Sequence, residues 1–193
     1  MTDLKLSPDI QEFLNRPATV NFLRAARHLV TLLEIDITDK SEFLKKSHAA
    51  LIDLYAAGHK LEEVPLKYSS AESEFDREKL FADSPSVPIP ELGEEGWYWE
   101  VFDPTYMERD GRPRLGWKTD DKEPSQGWLV EDFSDMYRDL KIELNKIDTI
   151  ATDEAVEDAL WELKWVFFHH WGNHCINAIR YLHYYCYEGK NIM

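Results

Sequence analysis

The last third of the chain reads as helix without interruption. From Thr152 to Tyr187 there is no proline and only one glycine, Gly172. On a helical wheel Val156, Leu160, Leu163, Phe167, His170, His174, Ala178, Tyr181 and Tyr185 fall on one stripe. A seam of this kind has to be covered by other helices, which commits the chain to a helical bundle. It also sets His170 and His174 at i and i+4 within an apolar face, where imidazoles need polar partners. Read as one element, the helix is about 35 residues and roughly 50 Å long. Thr152 is its expected N-cap, Asp153 and Glu154 stabilise its positive end, and Gly172 is the place for a bend.

The rest of the chain supplies the partners. Ser7 and Pro8 start a short helix as N-cap and first helical residue, and Pro17 ends or redirects it. Thr19 reads as the cap of a second helix with Val20, Leu23, Arg27, Val30 and Leu33 on one face and Phe22, Leu29 and Leu32 beside them, lasting to about Ile35. Asp39 followed by Glu42 resembles a capping box. It opens a third helix whose face is Phe43, Ser47, Ala50, Leu51 and Leu54, with Gly58 as its stop. Val130, Phe133, Tyr137, Leu140, Leu144 and Ile147 form a further stripe, to about Asp148.

Residues 64–128 differ. They hold seven of the nine prolines and five of the eight glycines, so long regular elements are not expected there. They also hold four of the seven tryptophans, an aromatic load that a disordered linker does not carry. The segment is expected to be an ordered arm on the helices. Ser73 to Phe81 suits a short helix, Trp97 to Phe102 a strand or a packed turn, and Asp110-Gly111 the turn of a small hairpin. The expected fold is all-α: one domain over residues 1–193, with N-terminal helices (1–63), the arm (64–128) and a C-terminal helix pair (129–193), four main helices in all.

Composition narrows the function classes. With 193 residues and 44% hydrophobic content, the chain can bury a substantial core. Lys and Arg number 22 against 37 Asp and Glu, a net charge of −15. That charge repels phosphate backbones and anionic membranes, and favours a basic protein partner or a cation. The N-terminus lacks the features of a signal peptide, and no apolar run is long enough to span a bilayer. The two cysteines, Cys175 and Cys186, lie about 16 Å apart on one straight helix, too far to pair. Unpaired thiols fit a reducing compartment, so a cytoplasmic location is expected.

Three stretches, YWEVFDP (Tyr98 to Pro104), EDFSDMYRDLK (Glu131 to Lys141) and HWGNHCINAIRYLH (His170 to His183), together resemble an uncharacterised bacterial family, domain of unknown function 5063. The resemblance runs over most of the chain. It implies a helical bacterial cytoplasmic domain in which the three stretches belong to one packed constellation, and it implies no activity.

Two candidate sites follow from the residues. His170 and His174 share a face by the spacing at which imidazoles chelate a cation, and Asp132, Asp135 and Asp139 line one flank of the preceding helix. Such residues on facing helices build metal sites, here for zinc, manganese or iron, with Asp135 and Asp139 completing the set. Alternatively each imidazole is satisfied by a carboxylate or carbonyl across the interface and no cofactor is needed. The second site is a partner or ligand surface: Trp97, Trp99 and Asp103 in the arm, and, separately, Arg138, Asn173, Asn177 and Arg180, expected to line a polar groove beside His169 and His183 that can grip a carboxylate or phosphate. Aromatics and arginine are the residues that anchor protein interfaces. Neither a Gly-x-Ser-x-Gly nucleophile elbow nor a Gly-rich phosphate loop is present, and HHWGNH lacks the glutamate of a metalloprotease helix. The favoured reading is therefore a non-enzymatic domain that binds a protein, and the alternative is a metal-dependent hydrolase acting on a small phosphorylated or amide substrate.

Overall fold

The computed structural model describes residues 6–70, 74–85, 87–88, 96–100 and 124–188. Seven helices are described: α1 (Pro8–Asn15), α2 (Pro17–Leu33), α3 (Lys40–Lys60), α4 (Arg77–Ala82), α5 (Leu129–Asn145), α6 (Asp153–His169) and α7 (Trp171–His183). Two short strands, β1 (Trp97–Glu100) and β2 (Ser125–Trp128), precede α5. π-helical turns follow α5 (Lys146–Ile150) and α7 (Tyr184–Glu188).

Four helices close a ring in which α2 packs on α3, α3 on α7, α7 on α5 and α5 back on α2. Phe22, Leu29, Leu33, Leu51, Leu54, Phe133, Met136, Leu140 and Trp171 fill its centre. α6 lies against α5 and α7, and α1 packs on α2 and α6. The all-α bundle is as expected, but its fourth rod is only the second half of the long C-terminal pattern.

That pattern breaks at His170, whose backbone leaves the helical region (φ −145°, ψ −87°). The expected bend at Gly172 thus falls two residues earlier, yet Gly172 is what permits it. A Cβ there would lie 2.0 Å from the Phe167 carbonyl oxygen. The break lets Trp171 turn fully inward, its ring tilted against those of Phe167 and Phe22, with its indole N–H donating to the Leu163 carbonyl at 3.1 Å. α7 is rotated as a result. Its buried face is Trp171, Cys175, Ala178 and Leu182, whereas His170 is exposed and Tyr181 and Tyr185 are half-buried.

Several local expectations hold. Pro8 starts α1, and the chain changes direction at Pro17. Asp39 accepts from the Glu42 N–H, and the Thr152 hydroxyl accepts from the Ala155 N–H. Others are corrected by packing. Thr19 is a buried residue inside α2, which Arg16 precedes as cap, and Val20 and Arg27 face solvent. α2 buries Phe22, Leu23, Ala26, Leu29, Val30 and Leu33 instead. Gly58 does not stop α3; it sits in the last turn because a Cβ there would come within 2.6 Å of Trp171. The end of α3 is held by the Lys164 ammonium, which donates to the carbonyls of Gly58 (3.1 Å) and His59 (3.3 Å), a cation on the negative helix end.

The arm is tied down by polar groups as well as aromatics. The buried Glu157 carboxylate of α6 accepts from the backbone N–H groups of Lys67 (2.8 Å), Tyr68 (2.7 Å) and Ser69 (2.7 Å). α4 covers the C-terminal half of the stretch expected to be helical, and Asp76 caps it through the Lys79 N–H. β1 pairs antiparallel with β2 in the register Trp97↔Trp128, Tyr98↔Gly127, Trp99↔Gln126, Glu100↔Ser125. Asp110-Gly111, Trp117 and Asp103 lie outside the described residues.

Candidate functional site

The site is built on two helices and one strand. The i, i+3, i+7 spacing on α5 carries Asp132, Asp135 and Asp139 along one flank of its core stripe. Across from them stand His170, at the break, and His174, in the first turn of α7. The period-two alternation of β1 presents Tyr98 and Glu100 inward, half-buried, and leaves Trp97 and Trp99 facing outward.

The imidazoles and aspartates do meet. His170 Nδ1 lies 2.6 Å from Asp139 Oδ2, and His174 Nδ1 lies 2.9 Å from Asp132 Oδ1. The other nitrogen of His174, Nε2, is 3.5 Å from Asp135 Oδ2. The two rings stand edge to face with centroids 4.8 Å apart. Asp132 is buried, and its second oxygen accepts from the Tyr98 hydroxyl at 2.5 Å. A hydrogen-bonded chain thus runs from Tyr98 through Asp132 to His174, with Asp135 standing beyond the far nitrogen of the ring. The Asp132 hydrogen bond raises the His174 pKa above the ordinary imidazole value, against an opposing effect of burial. Burial holds the Tyr98 phenol in its protonated, donating form.

One expectation is corrected here. His170 is not enclosed: 47% of its side chain is exposed, because the helix break places it at the mouth of the α5–α7 seam. His174 is the more sheltered of the two.

The expected polar groove is only partly assembled. Asn177 and Arg180 line a cavity of about 220 Å³ with Tyr98, Trp99, Glu100, Tyr181 and Tyr184. Asn177 donates to Glu100, whose carboxyl is shifted upward chiefly by burial. Arg138 is not part of it. Its guanidinium pairs with Glu78 and lies over the Phe81 ring, on the α4 side of α5. His169 turns away as well, stacked on Trp165, and His183 faces His48 and Tyr187. Glu100, Tyr181 and Tyr184 are additions to the sequence-based site. The alternation in WYWE places Glu100 beside Tyr98, but only the docking of β1 on α7 brings Glu100 to Asn177.

Cys175 is no nucleophile in this setting. Its thiol is fully buried, its Sγ–H faces the Leu51 carbonyl at 3.4 Å, and burial pushes its pKa up.

No helix among the described residues is long and apolar enough to cross a membrane. No curated protein matches the sequence. Among solved structures the chain is similar to protein BF1032 from Bacteroides fragilis, a structural genomics target, at 18% identity over 94% of this chain and 99% of that chain, with a TM-score of 0.63. At that identity the likeness is one of fold alone. The family model described as Domain of unknown function (DUF5063) matches residues 14–188, nearly the whole chain, and includes the bundle, the ribbon and the His/Asp seam. The chain belongs to that family.

Proposed function

We propose that the protein is a binding domain that recognises a basic protein partner through the aromatic face formed by β1 and α7. The observation that carries this reading is the placement of Trp99, which is 67% exposed on a ribbon whose opposite side is fixed to α5 by the Tyr98–Asp132 hydrogen bond. Trp97, 46% exposed, stacks on Trp128 with centroids 5.1 Å apart and ring planes 6° from parallel, so it is presented as a rigid surface. Arg180 and Tyr184 border the adjacent cavity. Tryptophan, tyrosine and arginine around a shallow pocket are the residues that dominate binding energy at protein interfaces, and rigid anchors lose little entropy on association. The acidic surplus of the chain, 37 against 22, favours a partner of opposite charge and speeds its approach.

A photo-crosslinking side chain in place of Trp99 tests the reading. It is expected to trap one partner, displaced by excess unlabelled protein and weakened by salt. The same probe at Ile52, exposed on α3, is the control. With the partner purified, Trp99→Ala is expected to weaken binding by about 2 kcal/mol or more while leaving the melting temperature unchanged. Equal crosslinking from positions 99 and 52, or an affinity indifferent to Trp99→Ala, would remove this face as the contact.

A further inference from the structure

Both histidines of the α5–α7 seam spend the same nitrogen on an aspartate. Nδ1 of His170 is engaged by Asp139 and Nδ1 of His174 by Asp132. A carboxylate on Nδ1 fixes the tautomer with hydrogen on that side and turns the Nε2 lone pair outward, the orientation that a metal-ligating imidazole takes from its supporting carboxylate. A third carboxylate, that of Asp135, has no such pairing. Its Oδ2 stands 3.5 Å from His174 Nε2, long for a hydrogen bond. For two ligands sharing a tetrahedral ion at about 2.0–2.2 Å each, the expected separation is about 3.4 Å. One ligand atom from each of Asp135, His170 and His174 lies within 4.8 Å of the others.

We propose that Asp135, His170 and His174 bind a divalent transition metal ion of the zinc class, with Asp132 and Asp139 as the carboxylates that orient the two imidazoles. Two nitrogens and one oxygen suit zinc, cobalt, nickel or manganese better than calcium or magnesium, which take oxygen ligands. The exposure of His170, and of the Asp135 side chain at 38%, gives the ion a route in from solvent and leaves room for water to complete its shell. Charge favours it too. Among the described residues the ion-pair partners of Asp132, Asp135 and Asp139 are these histidines alone, so three carboxylates face two groups that carry no charge when they act as ligands. Simple His–Asp pairing accounts for Asp132 and Asp139. It leaves the position of Asp135 against Nε2 without a role, and a shared ion supplies one.

The test uses the full chain without a histidine tag, stripped by chelator. Zinc is added in a calorimeter, and cobalt is followed by its visible absorption. The expected result is one equivalent per chain, a cobalt spectrum of four- or five-coordinate type, and a rise in melting temperature with added metal. Asp135→Asn is the decisive variant, because this side chain, 38% exposed, makes no hydrogen bond among the described residues. It is expected to fold normally and to weaken zinc binding by about tenfold or more, as is His170→Ala. Asp139→Asn is expected to weaken binding by about tenfold through its histidine. Absence of stoichiometric binding in the unmodified chain would overturn the proposal, and so would Asp135→Asn and His170→Ala both binding zinc like the parent, since the metal would then sit elsewhere.

Discussion

At His174 one ring nitrogen is bonded to a buried carboxylate, and the burial makes that contact count. Its Nδ1 bond to Asp132 satisfies an acid sunk in the seam, which also holds the hydroxyl of Tyr98. Removing the ring strips a partner from a buried charged group, so His174→Ala is expected to cost roughly 1–3 kcal/mol, read from urea unfolding. The pH dependence has a definite sign. The folded pKa of His174 is raised above 6.5, with the Asp132 hydrogen bond as the main cause. The proton it gains on folding stabilises the chain fully below the unfolded pKa, and that contribution is lost as pH rises through the folded value. In metal-free protein the stability gap between the parent and His174→Gln is therefore expected to narrow as pH climbs above 6.5. A gap that widens with pH in melting curves would contradict this assignment. The helical spacing in the sequence put Asp132, Asp135, Asp139, His170 and His174 within reach of one another. It also grouped Arg138 with Arg180, and there it failed. A wheel gives the angle of a side chain about its own axis, not which neighbour stands opposite, and the neighbour opposite Arg138 is Glu78 of α4.

Elements in this protein stop and turn where backbone approaches backbone. Gly172 is the clearest case. A methyl group there would meet the Phe167 carbonyl at 2.0 Å, so Gly172→Ala must either displace the break or unseat Trp171. A loss of about 3 kcal/mol or more is expected by chemical denaturation, and a near-neutral effect would mean that α6 and α7 merge without harm. The junction of the arm with α6 depends on Glu157, whose carboxylate takes N–H groups from Lys67, Tyr68 and Ser69. Glu157→Ala removes the one oxygen, Oε2, that accepts all three of those N–H groups. It is expected to cost about 2 kcal/mol or more and to speed amide exchange at residues 67–69. Helix starts at Pro8, Asp39 and Thr152 were legible because capping is local chemistry between residues a few positions apart. The break at His170 was not, because the sequence there is good helix and the reason to leave it, a place for Trp171 in the core, is made by α2, α3 and α6.

As a whole the molecule is a ring of four helices, α2, α3, α7 and α5, with α1, α6 and an aromatic ribbon laid against it. Cys175 sits inside the ring between α7 and α3, fully buried against the Leu51 carbonyl, and burial raises its thiol pKa. It is expected to resist thiol reagents at neutral pH and to react at the rate of global unfolding, measured by mass spectrometry under native conditions. Rapid modification of Cys175 in the folded chain would show that α7 opens independently of the ring. The His/Asp seam lies between two members of the ring, and Trp97 and Trp99 lie on the ribbon beside it. The Tyr98–Asp132–His174 chain joins the two.

Periodicity and composition by themselves determined that this chain is an all-α bundle, and that acids and imidazoles share one seam. These are properties of a residue and its near neighbours along a helix, and they survive without knowledge of the rest. Tertiary structure alone decided where the last helix breaks, how α7 is rotated about its axis, and that Glu100, Asn177 and Arg180 share a cavity while Arg138 does not. Those outcomes depend on shape fit between segments far apart in the chain, where one bulky indole beside a glycine outweighs the helix propensity of the residues around it.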